Sequence, residues 1–341
     1  MRMSKYAPFA FLALAASFAV PATASAMDHL KYGMLRVPQA VLVGIAKGFF
    51  KEKNIDVEIV LFRSGAQTVP ALSTGQVDLV STSPGAALYN ALSQGVKAKI
   101  VADYFVPGPK QPGGDPNGIA VRKDLITSGK FKGPADAKGL TFAITARGQF
   151  TDLFAREFLK LGGLTEKDVR IVTMSYPDML AALKGKAIDL ASAIDPGLYR
   201  AEQEGIAVRY KKLSDVMPGL NLGVTMYGER LIEKDRDLGM RFMAAYQKAN
   251  SYLRKRLTEP GGRKEIAEIY QKYLPLPDPS LYEKIGLGMG YEKLTVNVDG
   301  KYGLRWQLKQ HVASGLVPHP PKLADIVDQS FAEAAWKGRN Q

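Results

Sequence analysis

The chain has 341 residues, with 46 Lys and Arg against 33 Asp and Glu, a formal net charge of +13 and no cysteine. This length accommodates a large core and favours two domains over one. The lack of cysteine excludes disulfides, thiolate metal sites, cysteine nucleophiles and a cysteine-linked lipid anchor. Basic residues are scattered, with no run longer than Arg254-Lys255-Arg256, so they favour small anionic ligands over nucleic acid.

The first residues predict a cleaved export signal. Arg2 and Lys5 precede an apolar run over residues 7–20, and small residues suited to cleavage follow at 24–26. The run is shorter than the roughly 20 residues that span a bilayer. We therefore expect a signal peptide over residues 1–26 and a mature protein in the periplasm.

Strand and helix patterns alternate along the next part of the chain. Short apolar or β-branched segments indicate strands, and apolar residues at helical spacing, such as Val43, Ala46 and Phe50, indicate helices. Strands are predicted over residues 29–34, 56–62, 77–81 and 99–105, and helices over 40–50, over 69–74 and over 86–94. This alternation is typical of βαβ units and a parallel sheet.

A Pro- and Gly-rich stretch over residues 107–118 interrupts the alternation, which then starts again. Strands are predicted over residues 119–122, 140–145, 169–174, 188–194 and 221–227, and helices over 151–161 and 178–184. We expect the strand at 221–227 to return to the first lobe, and helices with apolar stripes to follow it. The predicted lobes are residues 27–117 with 219–341, and residues 118–218.

Three segments of the first half recur in the second half at nearly constant spacing. Val77-Asp78-Leu79 matches Ile188-Asp189-Leu190, with Ser81 and Ser192 in the same register. Two other strands repeat in the same way, at residues 30–32 and 140–142, and at 57–60 and 169–172. The period is far longer than the roughly 20–50 residues of a solenoid unit. It predicts two similar lobes.

Ligands of open α/β sheets bind beyond the carboxyl ends of the strands, where loops meet helix N-termini. The loops at those positions are rich in hydroxyl and amide donors and in glycine, as an anion site requires. The candidate ligand-binding residues are Arg36, Gln39, Ser64, Gly65, Gln67, Thr68, Thr82, Ser83, Arg147, Gly148, Gln149, Phe150, Thr151, Tyr176 and Asp195.

Several candidates also have a structural alternative. Arg147 has the planar guanidinium that holds a carboxylate or sulfonate by paired bonds, but an arginine is more often on the surface. Ser83 and Thr151 are also suited to capping helices, and Asp195 to capping a helix or bracing the hinge.

Several motifs resemble the substrate-binding proteins of sulfonate/taurine/nitrate-type ABC importers, in the superfamily that includes thiamine-pyrimidine-precursor binders. They are GFFKEKNIDV at 48–57, ALSTGQVD at 71–78, VRKDL at 121–125, GLTEKDV at 163–169 and VDQSF at 327–331. The resemblance extends from Lys31 to Phe331. Asp195-Pro196 fits the family pattern, whereas Arg147 stands in a loop where the family more often has small residues.

The resemblance implies an α/β fold of the type II periplasmic binding protein, with two lobes, each a mostly parallel sheet flanked by helices, and one ligand in the cleft. It implies capture of a small anionic organic solute, a sulfonate or taurine-like compound first and an aromatic carboxylate second. The partner would be an ABC permease in the inner membrane. We expect a monomer with no metal, cofactor, nucleic acid or enzymatic activity.

Two alternatives remain open. Thiamine-pyrimidine synthases of the same superfamily depend on a cysteine-rich segment and bind pyridoxal phosphate through a lysine; this chain has no cysteine and an apparent export signal. Motifs of metalloproteases, serine hydrolases and phosphate-binding loops are also absent from the sequence. A protein that presents its ligand to a sensor kinase or chemoreceptor would have the same sequence features.

Overall fold

A computed structural model describes residues 26–63, 65–107 and 112–339. Within these ranges the strands form two five-stranded sheets. The strands are β1 (Asp28–Leu35), β2 (Ile55–Phe62), β3 (Leu79–Thr82), β4 (Ala98–Phe105), β5 (Asn117–Arg122), β6 (Thr141–Ile144), β7 (Arg170–Thr173), β8 (Leu190–Ile194), β9 (Ala207–Lys212) and β10 (Gly223–Gly228).

The two sheets have the same strand order. The first is β2-β1-β3-β10-β4 and the second is β7-β6-β8-β5-β9. In each, three parallel strands are followed by one antiparallel strand, β10 or β5. Because β10 follows the second sheet in the chain but pairs in the first, the chain crosses between the lobes and returns. The predicted two-lobe α/β fold with mostly parallel sheets is confirmed.

Helices cover the faces of both sheets. They are α1 (Ala40–Ala46), α2 (Thr68–Ser73), α3 (Ala86–Ser93), α4 (Lys123–Thr127), α5 (Phe150–Lys160), α6 (Tyr176–Lys184), α7 (Gly197–Gln203), α8 (Leu213–Val216), α9 (Arg236–Arg256), α10 (Gly262–Tyr273), α11 (Leu281–Lys284), α12 (Leu304–Ala313), α13 (Leu323–Ile326) and α14 (Ser330–Gly338). The long helix α9 buries an aromatic stripe against the first sheet, with Phe242 stacked on Phe50 at 4.9 Å and on Tyr32 at 6.0 Å between ring centroids.

Several elements differ from the sequence prediction, among them α1 and β9, and helices α4, α7, α8 and α12 were not predicted. Helix α1 ends at Ala46 rather than at residue 50, because Gly48 takes a φ of +76° and a short 3₁₀ turn follows. Strand β9 has no counterpart among the predicted elements. It is an edge strand in which Arg209 and Lys211 interrupt the apolar pattern, so its sequence resembles that of a polar loop.

The repeated aspartates of the sequence have the same structural role in both lobes. Asp78, just before β3, accepts a hydrogen bond of 2.8 Å from the Lys31 backbone N–H on β1. Asp189, just before β8, accepts one of 2.8 Å from the Thr141 backbone N–H on β6. Each carboxylate thereby fixes two neighbouring strands, which explains why the motif occurs twice.

Loss of either aspartate should destabilise its lobe. Asp78 also pairs with Arg230 at 3.1 Å, and Asp189 with Arg122 at 3.2 Å. We expect Asp78→Ala and Asp189→Ala each to lower the free energy of unfolding by about 1–3 kcal/mol, because each leaves a backbone donor without its acceptor and removes one partner of an arginine. Chemical denaturation measures the change. Asp237→Ala is the control, since its side chain is 78% exposed; variants no less stable than this control would refute the role.

In the part of the chain that the structure describes, no helix has both the length and the apolar character needed to cross a bilayer. The predicted signal peptide lies outside the described residues except for Ala26. Signal cleavage and the lobe boundaries at residues 117/118 and 218/219 stay predictions.

Candidate functional site

The two lobes touch where the loop after β3 meets the loop after β6. The Ala86 N–H, at the start of α3, donates a hydrogen bond of 2.9 Å to the Gly148 carbonyl. Gly148 has a φ of +70°, and a Cβ atom there would lie 2.8 Å from the Cβ of Ala86. A Cβ atom at Gly85 would lie 2.8 Å from Gln149 Nε2. The approach of the lobes at this end of the cleft therefore depends on glycine.

Uncharged polar side chains cluster on the lobe 1 side of this cleft. The Tyr32 hydroxyl of β1 donates to Gln39 Oε1 at 3.3 Å. Ser81 of β3 and Thr225 of β10 face each other in the sheet, close to the same hydroxyl. These four residues, the lobe 1 polar cluster, are almost fully buried. Within the described residues, Gln39 Nε2, Ser81 Oγ and Thr225 Oγ1 have no hydrogen-bond partner.

Lobe 2 has unpaired polar groups at equivalent places. Ser192 of β8 corresponds to Ser81 in the repeat, and Asn117 of β5 lies in the strand that corresponds to β10. Both are buried, and no described residue bonds to Ser192 Oγ or to the side-chain amide of Asn117. An unpaired buried polar group costs about 1–3 kcal/mol. Both lobes thus keep unused hydrogen-bonding capacity, as a ligand site requires.

Two tyrosines approach each other across the cleft. Tyr104 belongs to β4 and Tyr176 is the first residue of α6. Burial raises the pKa of both hydroxyls, and the proximity of Tyr104 raises the pKa of Tyr176 further. Gly223 makes room for the Tyr104 ring, because a Cβ atom there would lie 2.2 Å from Tyr104 Cε1. The pair provides aromatic walls and neutral hydroxyl donors.

Arg147 pairs with carboxylates of its own lobe. Its Nη1 lies 2.7 Å from Glu166 Oε2 and 3.3 Å from Asp152 Oδ1. Asp152 also accepts a hydrogen bond of 3.0 Å from the Gly148 backbone N–H. The Arg147 side chain is 43% exposed and borders a cavity of about 420 Å³ against α12. These contacts support the surface alternative, in which Arg147 steadies the Gly148 loop, and its contact with an anion stays a prediction.

The Asp195 carboxylate is fully engaged by the protein. Its Oδ1 accepts from Arg209 Nη2 at 2.5 Å and from the Tyr199 backbone N–H at 3.1 Å. Its Oδ2 accepts from the Gly286 backbone N–H at 2.9 Å, in the segment that runs beside the crossing chain. These bonds support the hinge-bracing role rather than a ligand contact.

Several other candidates use their polar groups within the loops. The Thr68 hydroxyl donates to the Gly65 carbonyl at 2.7 Å and lies 3.0 Å from the Thr82 hydroxyl. The Thr151 hydroxyl shares a hydrogen bond of 2.7 Å with the Thr145 hydroxyl. These bonds shape the loops at the cleft, and the ligand contacts of these residues stay predictions.

The remaining candidates divide by exposure. Arg36 and Gln67 are exposed, and Gln67 Oε1 accepts a bond from a backbone N–H of its own loop. Phe150 is half-buried against the core. Ser83 Oγ is buried and, among described residues, unpartnered. Ser64 lies outside the described residues.

The candidate residues omit Tyr32, Ser81, Thr225, Ser192 and Asn117. Tyr32, Thr225 and Ser192 are single polar residues among apolar neighbours of a strand, a pattern typical of the core, and Asn117 falls in the Pro- and Gly-rich stretch. The repeat could have indicated two of these residues, because Ser81 and Ser192 occupy the same register in its two copies.

Asp103 is a fully buried carboxyl group beside the lobe 1 polar cluster. Its Oδ2 accepts from the Tyr291 backbone N–H at 2.9 Å, whereas its Oδ1 has no partner among the described residues. Burial raises the pKa of Asp103 to about 7, against the lowering effects of the Tyr291 bond and the Arg254 charge.

This pKa predicts a pH-dependent stability. The folded state keeps a proton on Asp103 that the unfolded state loses above the ordinary carboxyl pKa of 3.8. Stability should therefore fall as pH rises from about 4 to about 7, by up to about 1.4 kcal/mol per pH unit from this group. Asp103→Asn, which keeps an acceptor for Tyr291, should flatten that slope in urea unfolding at several pH values. Equal slopes in both proteins would contradict the assignment.

A two-lobe α/β protein with a polar cleft at its strand ends is the class that this geometry defines. Residues 39–258 match the family model described as NMT1/THI5 like. The match covers more than half of the chain, which therefore belongs to the NMT1/THI5-like family. No curated protein matches the chain.

Solved structures agree with the fold. The periplasmic aliphatic sulphonate binding protein SsuA from Escherichia coli is 18% identical, with a TM-score of 0.70 over 89% of this chain and 99% of that one. The periplasmic nitrate-binding protein NrtA from Synechocystis PCC 6803 is 14% identical, with a TM-score of 0.71 over 92% and 90%. The desulfurization enzyme DSZB is 17% identical, with a TM-score of 0.65 over 92% and 100%. The predicted resemblance to sulfonate- and nitrate-type binding proteins is confirmed at the level of the fold.

Proposed function

We propose that this protein is an extracytoplasmic solute-binding protein of an ABC importer. It captures a small anionic organic solute between its lobes and delivers it to a permease in the inner membrane. A sulfonate or taurine-like compound is the first candidate ligand, and an aromatic carboxylate the second. The protein acts as a periplasmic monomer without a cofactor.

The observation that carries this proposal is the set of unpaired buried polar groups on both sides of a cleft that the lobes can close. Gln39 Nε2 and Ser81 Oγ on one side and Ser192 Oγ on the other lack partners among the described residues. A ligand that bonds to both lobes stabilises the closed form over the open one, which is how hinged binding proteins respond to their solutes. The sulphonate- and nitrate-binding proteins of the same fold support an anion as the ligand.

We propose binding rather than catalysis, although the desulfurization enzyme has the same fold. The chain contains no cysteine to act as a nucleophile. Tyr32, Tyr104 and Tyr176 keep their protons at neutral pH, because burial raises the pKa of each. The groups gathered at the cleft are suited to donating hydrogen bonds.

A thermal-shift screen tests this function. The purified protein without its first 26 residues is heated with taurine, ethanesulfonate, benzoate, nitrate and thiamine-pyrimidine precursors. A true ligand raises the melting temperature by mass action, by about 2.7 kcal/mol of stabilisation at a hundred times its dissociation constant. Mass spectrometry should recover it unchanged. Chemical conversion of a compound that shifts the melting temperature would overturn the binding function.

Closure should depend on Gly148. In Gly148→Ala the added methyl group would lie 2.8 Å from Ala86 Cβ and 3.1 Å from Leu316 Cδ1, so the lobes must move apart. Overpacking of this kind costs about 1–3 kcal/mol, and we expect ligand affinity to fall about 5- to 150-fold. Calorimetry measures the affinity, and small-angle X-ray scattering measures the opening as a larger radius of gyration.

Gly163→Ala is the matched control for backbone strain. Gly163 has a φ of +69°, almost the value at Gly148, but no atom lies within 4 Å of its added Cβ. This variant should lose the same conformational stability and keep its ligand affinity. Equal affinities in the two variants would show that contact at Gly148 plays no part in closure.

A further inference from the structure

Gln39 is a buried glutamine with half of its amide unused. Its side chain is 1% exposed and stands where the loop after β1 enters α1. Gln39 Oε1 accepts the Tyr32 hydroxyl at 3.3 Å, and no described residue pairs with Gln39 Nε2. Gln307, which is equally buried, donates through its Nε2 to the carbonyls of Asn221 and Tyr302. Gln247, also buried, leaves its Oε1 unpaired but donates through Nε2 to Ser251 and to the Glu292 carbonyl. Among the buried glutamines of the described residues, an unpaired NH₂ group is therefore particular to Gln39.

Tyr32 determines which way the Gln39 amide points. Burial raises the pKa of Tyr32 to about 12, so its hydroxyl keeps its proton. The hydroxyls of Ser81, Thr225 and Tyr246 lie near the Tyr32 oxygen and lower that pKa. The Tyr32 hydroxyl donates this proton to Gln39 Oε1 at 3.3 Å. The Gln39 NH₂ group must then point away from Tyr32, with two donors available.

Other unpaired donors lie next to Gln39 in the fold. Strands β1 and β3 are parallel neighbours, so the loops that carry Gln39 and Ser83 emerge side by side at one sheet edge. Ser83 Oγ is buried and has no partner in the described ranges. The neighbouring carboxyl group, Asp103, is bonded to the Tyr291 backbone N–H at the C-terminal segment. This edge offers a ligand the unpaired donors of Gln39 and Ser83, with the unpaired Oδ1 of Asp103 as the acceptor near them.

The candidate loops, where the structure describes them, contain three cations, Arg36, Arg63 and Arg147, and Arg63 is exposed. Arg147 is paired with Asp152 and Glu166, and Arg36 is exposed. Uncharged donors would bind an anion here through charge-assisted hydrogen bonds, in the way that backbone N–H groups and hydroxyls bind carboxylates.

We propose that lobe 1 binds the oxyanion group of the ligand, a carboxylate or a sulfonate, through uncharged donors, with Gln39 Nε2 as the principal donor and Tyr32 as its positioning residue. This inference rests on the proposed solute-binding function and names the chemistry of its recognition. Specificity then comes from the direction of the donors rather than from opposite charge. Binding of an anion should depend little on salt, because screening acts mainly on exposed charge pairs.

Calorimetry with two defined probes, ethanesulfonate and benzoate, tests the proposal. We expect Gln39→Leu to weaken binding of the accepted probe about 10- to 150-fold, the range for loss of a hydrogen bond to a charged group. Gln39→Glu should weaken it further, because a carboxylate would then face the oxyanion. Tyr32→Phe should weaken it less than Gln39→Leu, because the amide remains but is free to turn. Raising NaCl from 50 to 500 mM should change the wild-type affinity less than about threefold.

Gln307→Leu is the matched control. It removes an equally buried glutamine and leaves two carbonyls unpaired, so its melting temperature without ligand should fall while the folded protein keeps its affinity. In Gln39→Leu the pattern should be the reverse, with loss of affinity as the main effect. A Gln39→Leu protein that binds like the wild type, a larger loss in Arg147→Ala than in Gln39→Leu, or a tenfold loss of affinity with salt would each overturn the proposal.

The test also separates this inference from the proposed function. If neither probe binds and an uncharged compound raises the melting temperature, the oxyanion site is wrong and solute binding stands. If the wild type binds no probe, no compound of the screen shifts its melting temperature, and no small molecule is released from protein purified from its own cells, both are wrong.

Discussion

The hydrogen bond between the Ala86 N–H and the Gly148 carbonyl is the contact on which the site depends. It joins a loop of each lobe at the strand ends and leaves the polar groups between the lobes shielded from water. Because water is excluded, an unpaired donor there raises the free energy of the folded protein, and a hydrogen bond to a ligand contributes more binding free energy than it would in water. The ion pairs of Asp152 with Arg147 and Arg156 hold the Gly148 loop on the side that faces α12.

One arrangement serves both lobes. The strand order, the aspartate before the third strand and the serine within it all occur twice. Asp78 and Asp189 fix neighbouring strands, and Ser81 and Ser192 follow on those strands, buried and unpaired among the described residues. A short repeated motif thus combines strand alignment with a hydroxyl directed at the interior.

The sequence predicts most of this fold because strands, turns and the repeat are local signals. It predicts the loops at the strand ends for the same reason, and Gln39 and Tyr176 are among the candidate residues that it names in those loops. The partners of Arg147 and Asp195 were not predictable, since Glu166 and Arg209 meet them only through tertiary packing. Tyr32 was not predicted as a site residue, because a tyrosine within a strand has the pattern of a core residue. Its role depends on the contact of its hydroxyl with Gln39, which only the structure shows.

The most direct test of the account is the distance between the lobes with and without ligand. The chain has no cysteine, so Ala313→Cys on α12 and Lys167→Cys in lobe 2 provide two exposed sites for spin labels. Double electron–electron resonance then measures their separation. We expect a broad distribution without ligand and a single, shorter distance once a compound that raises the melting temperature is added. The same distribution in both conditions would contradict closure of the lobes on the solute.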